Sequence, residues 1–120
     1  MIAVTRTVLI VDDHPSFRAT ARALLESEGF EVVAEAPNGE AALAAAREHH
    51  PDVVLLDVQL PDLDGFEVTR RLSSNGASPA VVLVSSRDAC DFGDLITRSG
   101  ARGFIPKAEL SGEALAALVE

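Results

Sequence analysis

The chain has 120 residues, 48% of them hydrophobic, which is enough for one domain with its own core and no disulfide support. Charged residues make up 24%, and that balance excludes a disordered chain. A net charge of −9 excludes a domain that grips a phosphate backbone by itself, because it has no surplus of Lys or Arg to release counterions; it suits a basic or cationic partner.

In chain order, MIAVTR leads into TVLIV (Thr7 to Val11), a β-branched apolar run that predicts a strand ending at Asp12-Asp13. This run is too short and too interrupted by charge for a signal peptide. Nowhere does the chain approach the roughly 20 apolar residues of a membrane span, so the expectation is a soluble, cytoplasmic protein. His14-Pro15 follows, with Pro at a favoured first helical position. Phe17, Ala21, Leu24 and Leu25 recur at helical spacing, and Gly29 closes that helix. Val32 to Ala36 predicts a second strand, and Pro37-Asn38-Gly39 is punctuation. Residues 40 to 49 are Ala-rich with Leu43 and predict a helix, broken by Pro51-Asp52.

Val53 to Asp57 (VVLLD) reads as a third strand, buried on both faces, that delivers one carboxylate to the end of the sheet. The loop QLPDLDG leads to a helix from about Phe66 to Ser73. Ser74 to Pro79 is polar and turn-like, and Ala80 to Ser85 predicts the fourth strand. A helix is expected over Asp88 to Ser99, with Phe92, Leu95, Ile96 and Ser99 on one face, although Gly93 inside it costs roughly 1 kcal/mol relative to Ala. Cys90, the only cysteine, lies there. It permits no internal disulfide, suits a reducing intracellular setting, and is expected to be an ordinary buried or half-buried thiol. Arg102 to Pro106 predicts a fifth strand. Ser111 is a good N-cap for the last helix, where Leu110 can staple onto Leu115, and Leu115, Leu118 and Val119 form the apolar stripe.

Strand and helix thus alternate five times, the pattern of a parallel sheet with helices on both faces. Right-handed crossovers bring every strand's carboxyl end to one edge, where open α/β sheets bind ligands. Asp57 follows Asp13 by 44 residues, Ser85 follows Asp57 by 28, and Lys107 follows Ser85 by 22; two strand–helix units fit the first gap and one fits each of the others. Asp12, Asp13, Asp57, Ser85 and Lys107 therefore converge on that edge. Three carboxylates in one pocket repel, so either one is protonated or a cation sits among them. An all-oxygen set without Cys or His suits a hard divalent ion such as Mg²⁺ (or Mn²⁺). A carboxylate nucleophile beside such an ion, a lysine and a hydroxyl has the parts for phosphoryl transfer to an aspartate.

VDD near the amino terminus, LLDVQLPDLDG, LVSS and GFIPK, in this order and at these spacings, resemble the receiver domain of bacterial two-component response regulators. VDDHPSFR and GFIPKAEL are most similar to receivers that carry a carboxyl-terminal helix-turn-helix (LuxR-type) DNA-binding domain. The resemblance covers essentially the whole chain. It implies a flavodoxin-like (βα)5 fold, with a doubly wound parallel five-stranded sheet in the order 2-1-3-4-5. Residues 1–120 are expected to form a single receiver domain, with any effector domain absent from this chain.

The same resemblance implies roles. Asp57 is the phosphoacceptor, attacking phosphorus on a phosphohistidine of a sensor histidine kinase. Asp13, Asp57 and the backbone carbonyl of Gln59 hold Mg²⁺ directly, and Asp12 acts through metal-bound water. Lys107 contacts the acyl phosphate. Ser85 bonds a phosphoryl oxygen, and Phe104 is the switch aromatic that turns inward as Ser85 moves. Ser86 is small, as access to Asp57 requires. Gln59 and Arg87 lie where the family tunes hydrolysis of the acyl phosphate. The expected output is a homodimer or an effector contact that controls transcription, with no direct nucleic-acid binding by this domain. The only catalysis implied is of its own phosphorylation and dephosphorylation. Many receivers place Pro after the lysine; here Pro106 precedes Lys107 and Ala108 follows it, so a cis bond after Lys107 would be a non-proline one, costing about 2.5–4 kcal/mol.

Other readings differ in identifiable residues. An aspartyl-phosphate phosphohydrolase of the haloacid dehalogenase type needs an Asp two residues after the nucleophile, where this chain has Gln59. A flavin or nucleotide carrier needs a Gly-rich first turn, and DDHPS is acidic and has no Gly. A phosphate-independent interaction domain would not need the intact set Asp12, Asp13, Asp57, Ser85 and Lys107. Elsewhere, His14 reads as a solvated helix-start residue, and His49 and His50 as a solvated helix end favoured by the dipole. Asp62 and Asp64 read as turn and helix-start residues.

Overall fold

The apolar runs of the sequence form the strands of one parallel sheet. The computed structural model describes residues 6–73, 79–87 and 89–119, without the side chains of Ala89 and Cys90. The strands are β1 (Thr7–Val11), β2 (Glu31–Ala36), β3 (Val53–Asp57), β4 (Ala80–Ser85) and β5 (Gly103–Pro106). They lie side by side in the order β2-β1-β3-β4-β5, every pair parallel. This is the doubly wound order expected, with β1 and β3 adjacent at its centre.

Alternation along the strands divides the core in two. On one face Val8, Ile10, Val53, Leu55, Val82 and Val84 pack with Ala21 and Leu25 of α1 (Pro15–Ser27) and with Leu115 and Val119 of α5 (Gly112–Val119). On the other, Leu9, Val11, Val54, Leu56, Val81 and Leu83 meet Ala42 and Leu43 of α2 (Gly39–His49) and Val68 and Leu72 of α3 (Gly65–Ser73). Strands β1 and β3 are buried along both faces, which is why they read as continuous apolar runs. Their register sets Val11 beside Leu56, so the residues that follow each strand emerge next to one another.

Helix ends follow local chemistry. The side chain of Asn38 accepts from the Ala41 amide and caps α2. Asp64 does the same for α3 through the Glu67 amide, and Ser111 caps α5 through the Ala114 amide, as anticipated. The start of α2 has a second carboxylate: Asp62, in the loop after β3, accepts from the amides of Gly39 (2.8 Å) and Glu40 (3.0 Å). Asp62 is thus a cap for a helix more than 20 positions away, not merely a turn residue.

The expected helix over Asp88 to Ser99 is instead divided. A 3₁₀ turn covers Ala89–Phe92, Gly93 takes φ +57°, and α4 is a short helix, Leu95–Arg98. A left-handed backbone at Gly93 cannot continue a right-handed helix. One consequence is that Leu95, expected on the apolar face, is 48% exposed, while Phe92, Ile96 and Ser99 turn inward. The turn over residues 74–78, the first residue of the expected helix, Asp88, and the burial of the Cys90 thiol lie outside the described residues. No described helix is long and apolar enough to cross a membrane.

Candidate functional site

The carboxyl ends of β1 and β3 place Asp12 and Asp57 side by side beneath a pocket of about 280 Å³. Asp13, His14, Asp57, Gln59, Leu60, Pro61, Ser86 and Lys107 line it. Asp12 lies fully buried behind this lining and Asp57 nearly so, whereas Asp13 and His14 reach solvent. Lys107 arrives from the 3₁₀ turn Lys107–Glu109 that follows β5. Its ammonium is 2.6 Å from Oδ2 of Asp12 and 3.1 Å from Oδ2 of Asp57, one cation shared by two carboxylates from different strands. The peptide bond after Lys107 is trans, as are all those described.

The remaining lone pairs are held by local turns. Oδ1 of Asp57 accepts from the Gln59 amide at 3.0 Å. Oδ1 of Asp12 accepts from the His14 amide at 2.8 Å and lies 3.0 Å from His14 Nδ1. Nδ1 is also 3.1 Å from Oδ1 of Asp13, so the imidazole bridges both acids. The backbone carbonyl of Asp12 accepts from Nη1 of Arg18 at 2.5 Å, and Arg18 in turn pairs with Glu35 of β2. Oδ2 of Asp12 is held by the Lys107 ammonium at 2.6 Å. A buried oxygen of that kind beside two further carboxylates fits a hard cation. Asp12, Asp13, His14 and Asp57 together offer ligand atoms within 4.8 Å of one another.

Electrostatics separate the two buried acids. Burial alone would push the Asp12 carboxyl up, but Lys107 and the His14 amide outweigh it and hold it below its ordinary value. At Asp57 burial wins over the Gln59 amide and Lys107, and the carboxyl is raised. Burial opposes the charge on Lys107, yet Asp12 and Asp57 raise its affinity for its proton above the ordinary value.

Of the residues expected at this edge, Asp12, Asp13, Asp57 and Lys107 come together, and Gln59 joins them through its backbone. Ser85 ends β4 as expected and pairs across the sheet with Pro106, but its hydroxyl is buried and accepts from the Arg87 amide at 3.1 Å. Ser86, not Ser85, lines the pocket. The Arg87 side chain is exposed. Phe104 is part of an aromatic row, its ring 5.7 Å from Phe92, which lies 5.8 Å from Phe66.

Sequence reasoning missed two participants. His14 is exposed as expected yet touches both acids. Phe17, read only as an apolar position of the first helix, places its ring 4.5 Å from the Lys107 ammonium. The position of His14 directly after the acidic pair was the available signal; nothing in the sequence pairs residue 17 with residue 107.

Comparison with known proteins agrees with this geometry. The family model for the response regulator receiver domain matches residues 8–120. BvgA of Bordetella pertussis, named as a transcription regulator of virulence factors, is 45% identical over 102 residues, 85% of this chain and 49% of that protein. The response regulator GacA of Pseudomonas viridiflava is 39% identical over 114 residues, 94% of this chain and 51% of that protein. The chain thus spans about half the length of the curated relatives it matches. Among solved structures, the signal receiver domain of NarL from Mycobacterium tuberculosis superposes with a TM-score of 0.85 at 35% identity, covering 97% of this chain and 98% of that one. A LuxR-family two-component response regulator from Aurantimonas gives 0.85 at 32%, covering 96% and 86%. An acidic pair after β1, an aspartate ending β3 and a lysine after β5, on this topology and with these relatives, make the chain a member of the response regulator receiver domain family.

Proposed function

We propose that this chain is the phosphoacceptor domain of a two-component response regulator, with Asp57 as the residue modified. The observation that carries the reading is the Asp57 carboxylate at the floor of the pocket, with Lys107 at 3.1 Å and the acidic pair beside it. An oxygen of Asp57 attacks phosphorus of a phosphohistidine on a sensor histidine kinase; the O–P bond forms as the N–P bond breaks, and the imidazole leaves with the electron pair. The Gln59 amide and Lys107 orient the carboxylate. Lys107, already placed on Oδ2, then balances charge on the acyl phosphate.

The donor set fits Mg²⁺ or Mn²⁺, which Asp13, Asp57 and the Gln59 carbonyl would hold directly and Asp12 through a water. Such an ion supplies positive charge opposite the transferring phosphoryl oxygens. Ser85 would exchange its Arg87 partner for a phosphoryl oxygen, and Phe104 would turn inward as that happens. The change is a population shift toward an arrangement that the phosphoryl group binds better. Gln59 and Arg87 set how long the acyl phosphate lasts. We assign residues 1–120 to a single receiver domain that self-modifies and does not turn over a separate substrate. Its phosphorylated surface recruits a second copy or an effector that acts in transcription, and it does so in the cytoplasm.

Intact mass after incubation with acetyl phosphate tests this. One phosphoryl adduct is expected in the wild type, absent without Mg²⁺ and absent in Asp57→Ala. Catalytic consumption of acetyl phosphate without an adduct would instead identify a phosphohydrolase.

A further inference from the structure

One polar side chain of the pocket, His14, has no part in the reading above. Its Nδ1 stands 3.0 Å from Oδ1 of Asp12 and 3.1 Å from Oδ1 of Asp13, and its ring is largely exposed. Three consecutive residues thus present one ligand atom each to a common point, and Asp57 adds a fourth within the same 4.8 Å. In an octahedral complex with bonds of about 2.1 Å, neighbouring ligand atoms lie about 3.0 Å apart. The distance from His14 Nδ1 to Oδ1 of Asp13, the directly ligating acid of the pair, matches such an edge. Nδ1 is donor or acceptor according to the ring's tautomer, and with the ring proton on Nε2 its lone pair can bind a metal.

We infer that His14 supplies a nitrogen ligand to the divalent ion of this pocket, and so shifts its preference from Mg²⁺ toward late first-row ions such as Ni²⁺ and Co²⁺. The inference rests on the proposal that the pocket holds a divalent ion. Imidazole contributes little to a hard ion that prefers water and carboxylate, and much to a borderline ion. The carboxylates alone serve Mg²⁺; the added nitrogen discriminates among competitors.

The experiment uses the whole chain with His49→Gln and His50→Asn, so that His14 is the sole histidine and the exposed pair at the end of α2 cannot bind Ni²⁺. Asn is chosen at position 50 because that backbone is left-handed. Mg²⁺ and Ni²⁺ are titrated calorimetrically into this protein and into the same protein carrying His14→Gln. The ring ¹⁵N resonances of His14 are followed as Co²⁺ is added. The expected result is a loss of about tenfold in Ni²⁺ affinity with His14→Gln, a change under about twofold for Mg²⁺, and a large paramagnetic shift of Nδ1. The inference is overturned if Ni²⁺ and Mg²⁺ affinities fall together or not at all and Nδ1 does not respond. In that case His14 only hydrogen-bonds the acids, while retained Mg²⁺ binding and a phosphoryl adduct leave the phosphoacceptor reading standing. If neither ion binds and acetyl phosphate adds no mass, both readings fall. His14-dependent Ni²⁺ binding without any Mg²⁺ binding supports the inference and removes Mg²⁺ from the phosphoacceptor reading.

Discussion

A Cβ placed on Gly65 would stand 2.6 Å from the backbone oxygen of Asp57 and 2.8 Å from Cα of Val58. The loop after β3 folds back so closely that the first residue of α3 touches the backbone of the proposed phosphoacceptor, and the Gly65 amide donates to the Val58 carbonyl at 2.7 Å. Backbone cannot yield as a side-chain tip can. Gly65→Ala is therefore expected to destabilise the fold by about 1–3 kcal/mol and to slow phosphoryl uptake from acetyl phosphate. Urea unfolding and intact-mass kinetics on the same variant check both effects; an unchanged rate with lowered stability would show that the loop moves without Asp57.

Asp57 is ionised at a cost, because burial raises its carboxyl despite Lys107. Asp57→Asn keeps the shape and the bond from the Gln59 amide while removing the buried charge. In metal-free buffer near neutral pH we expect this variant to be more stable than the wild type by about 0.5–2 kcal/mol and to accept no phosphoryl group. Thermal unfolding in the presence of a chelator measures the first effect and intact mass the second. A less stable variant would mean that the carboxylate's pairing outweighs its desolvation.

Lys107 is the cation shared by Asp12 and Asp57, and it is itself largely buried. Lys107→Met leaves two neighbouring buried carboxylates with no cation between them. The expected loss is about 2–4 kcal/mol without divalent ions, partly restored by millimolar Mg²⁺. The restoration distinguishes electrostatic repulsion from the lost contact of the ammonium with the Phe17 ring, which no ion would repair. Paired urea titrations with and without Mg²⁺ decide it.

Asp62 gives a pH dependence remote from the pocket. The amides of Glu40 and Gly39 hold its carboxyl below the ordinary value. A group depressed in the folded state stabilises the fold above its unfolded pKa, about 3.9, and that contribution disappears as pH falls through the folded value. The side chain is exposed, so the effect is small, under about 1 kcal/mol. Asp62→Asn should lower stability at pH 6 and flatten its decline below pH 4, as read from urea midpoints across that range. Parallel curves for the two proteins would mean that Asn38 caps α2 unaided.

The strands, their order and the acids at their ends were legible because a central parallel strand needs apolar residues on both faces and the chain then has to turn. Asp12, Asp57 and Lys107 followed from strand ends and loop lengths. What could not be read was where side chains aim after the turn. The Ser85 hydroxyl turns to the Arg87 amide, and His14 folds back on the acids that precede it. Asp62 reaches the start of α2, and Phe17 meets Lys107 across 90 positions of sequence. Each of these depends on the packing of one element on another, to which periodicity is blind. Gly93 was visible, but its left-handed backbone was not, and that angle divides the fourth helix.

The two cores alternate along β1, with Val8 and Ile10 toward one face and Leu9 and Val11 toward the other, and Asp12 is the next residue out. Sliding β1 by one position against β3 would exchange all four between the two cores and withdraw Asp12 from Asp57 in the same movement. The β1–β3 register thus sets both how the two cores fill and whether the two buried acids meet.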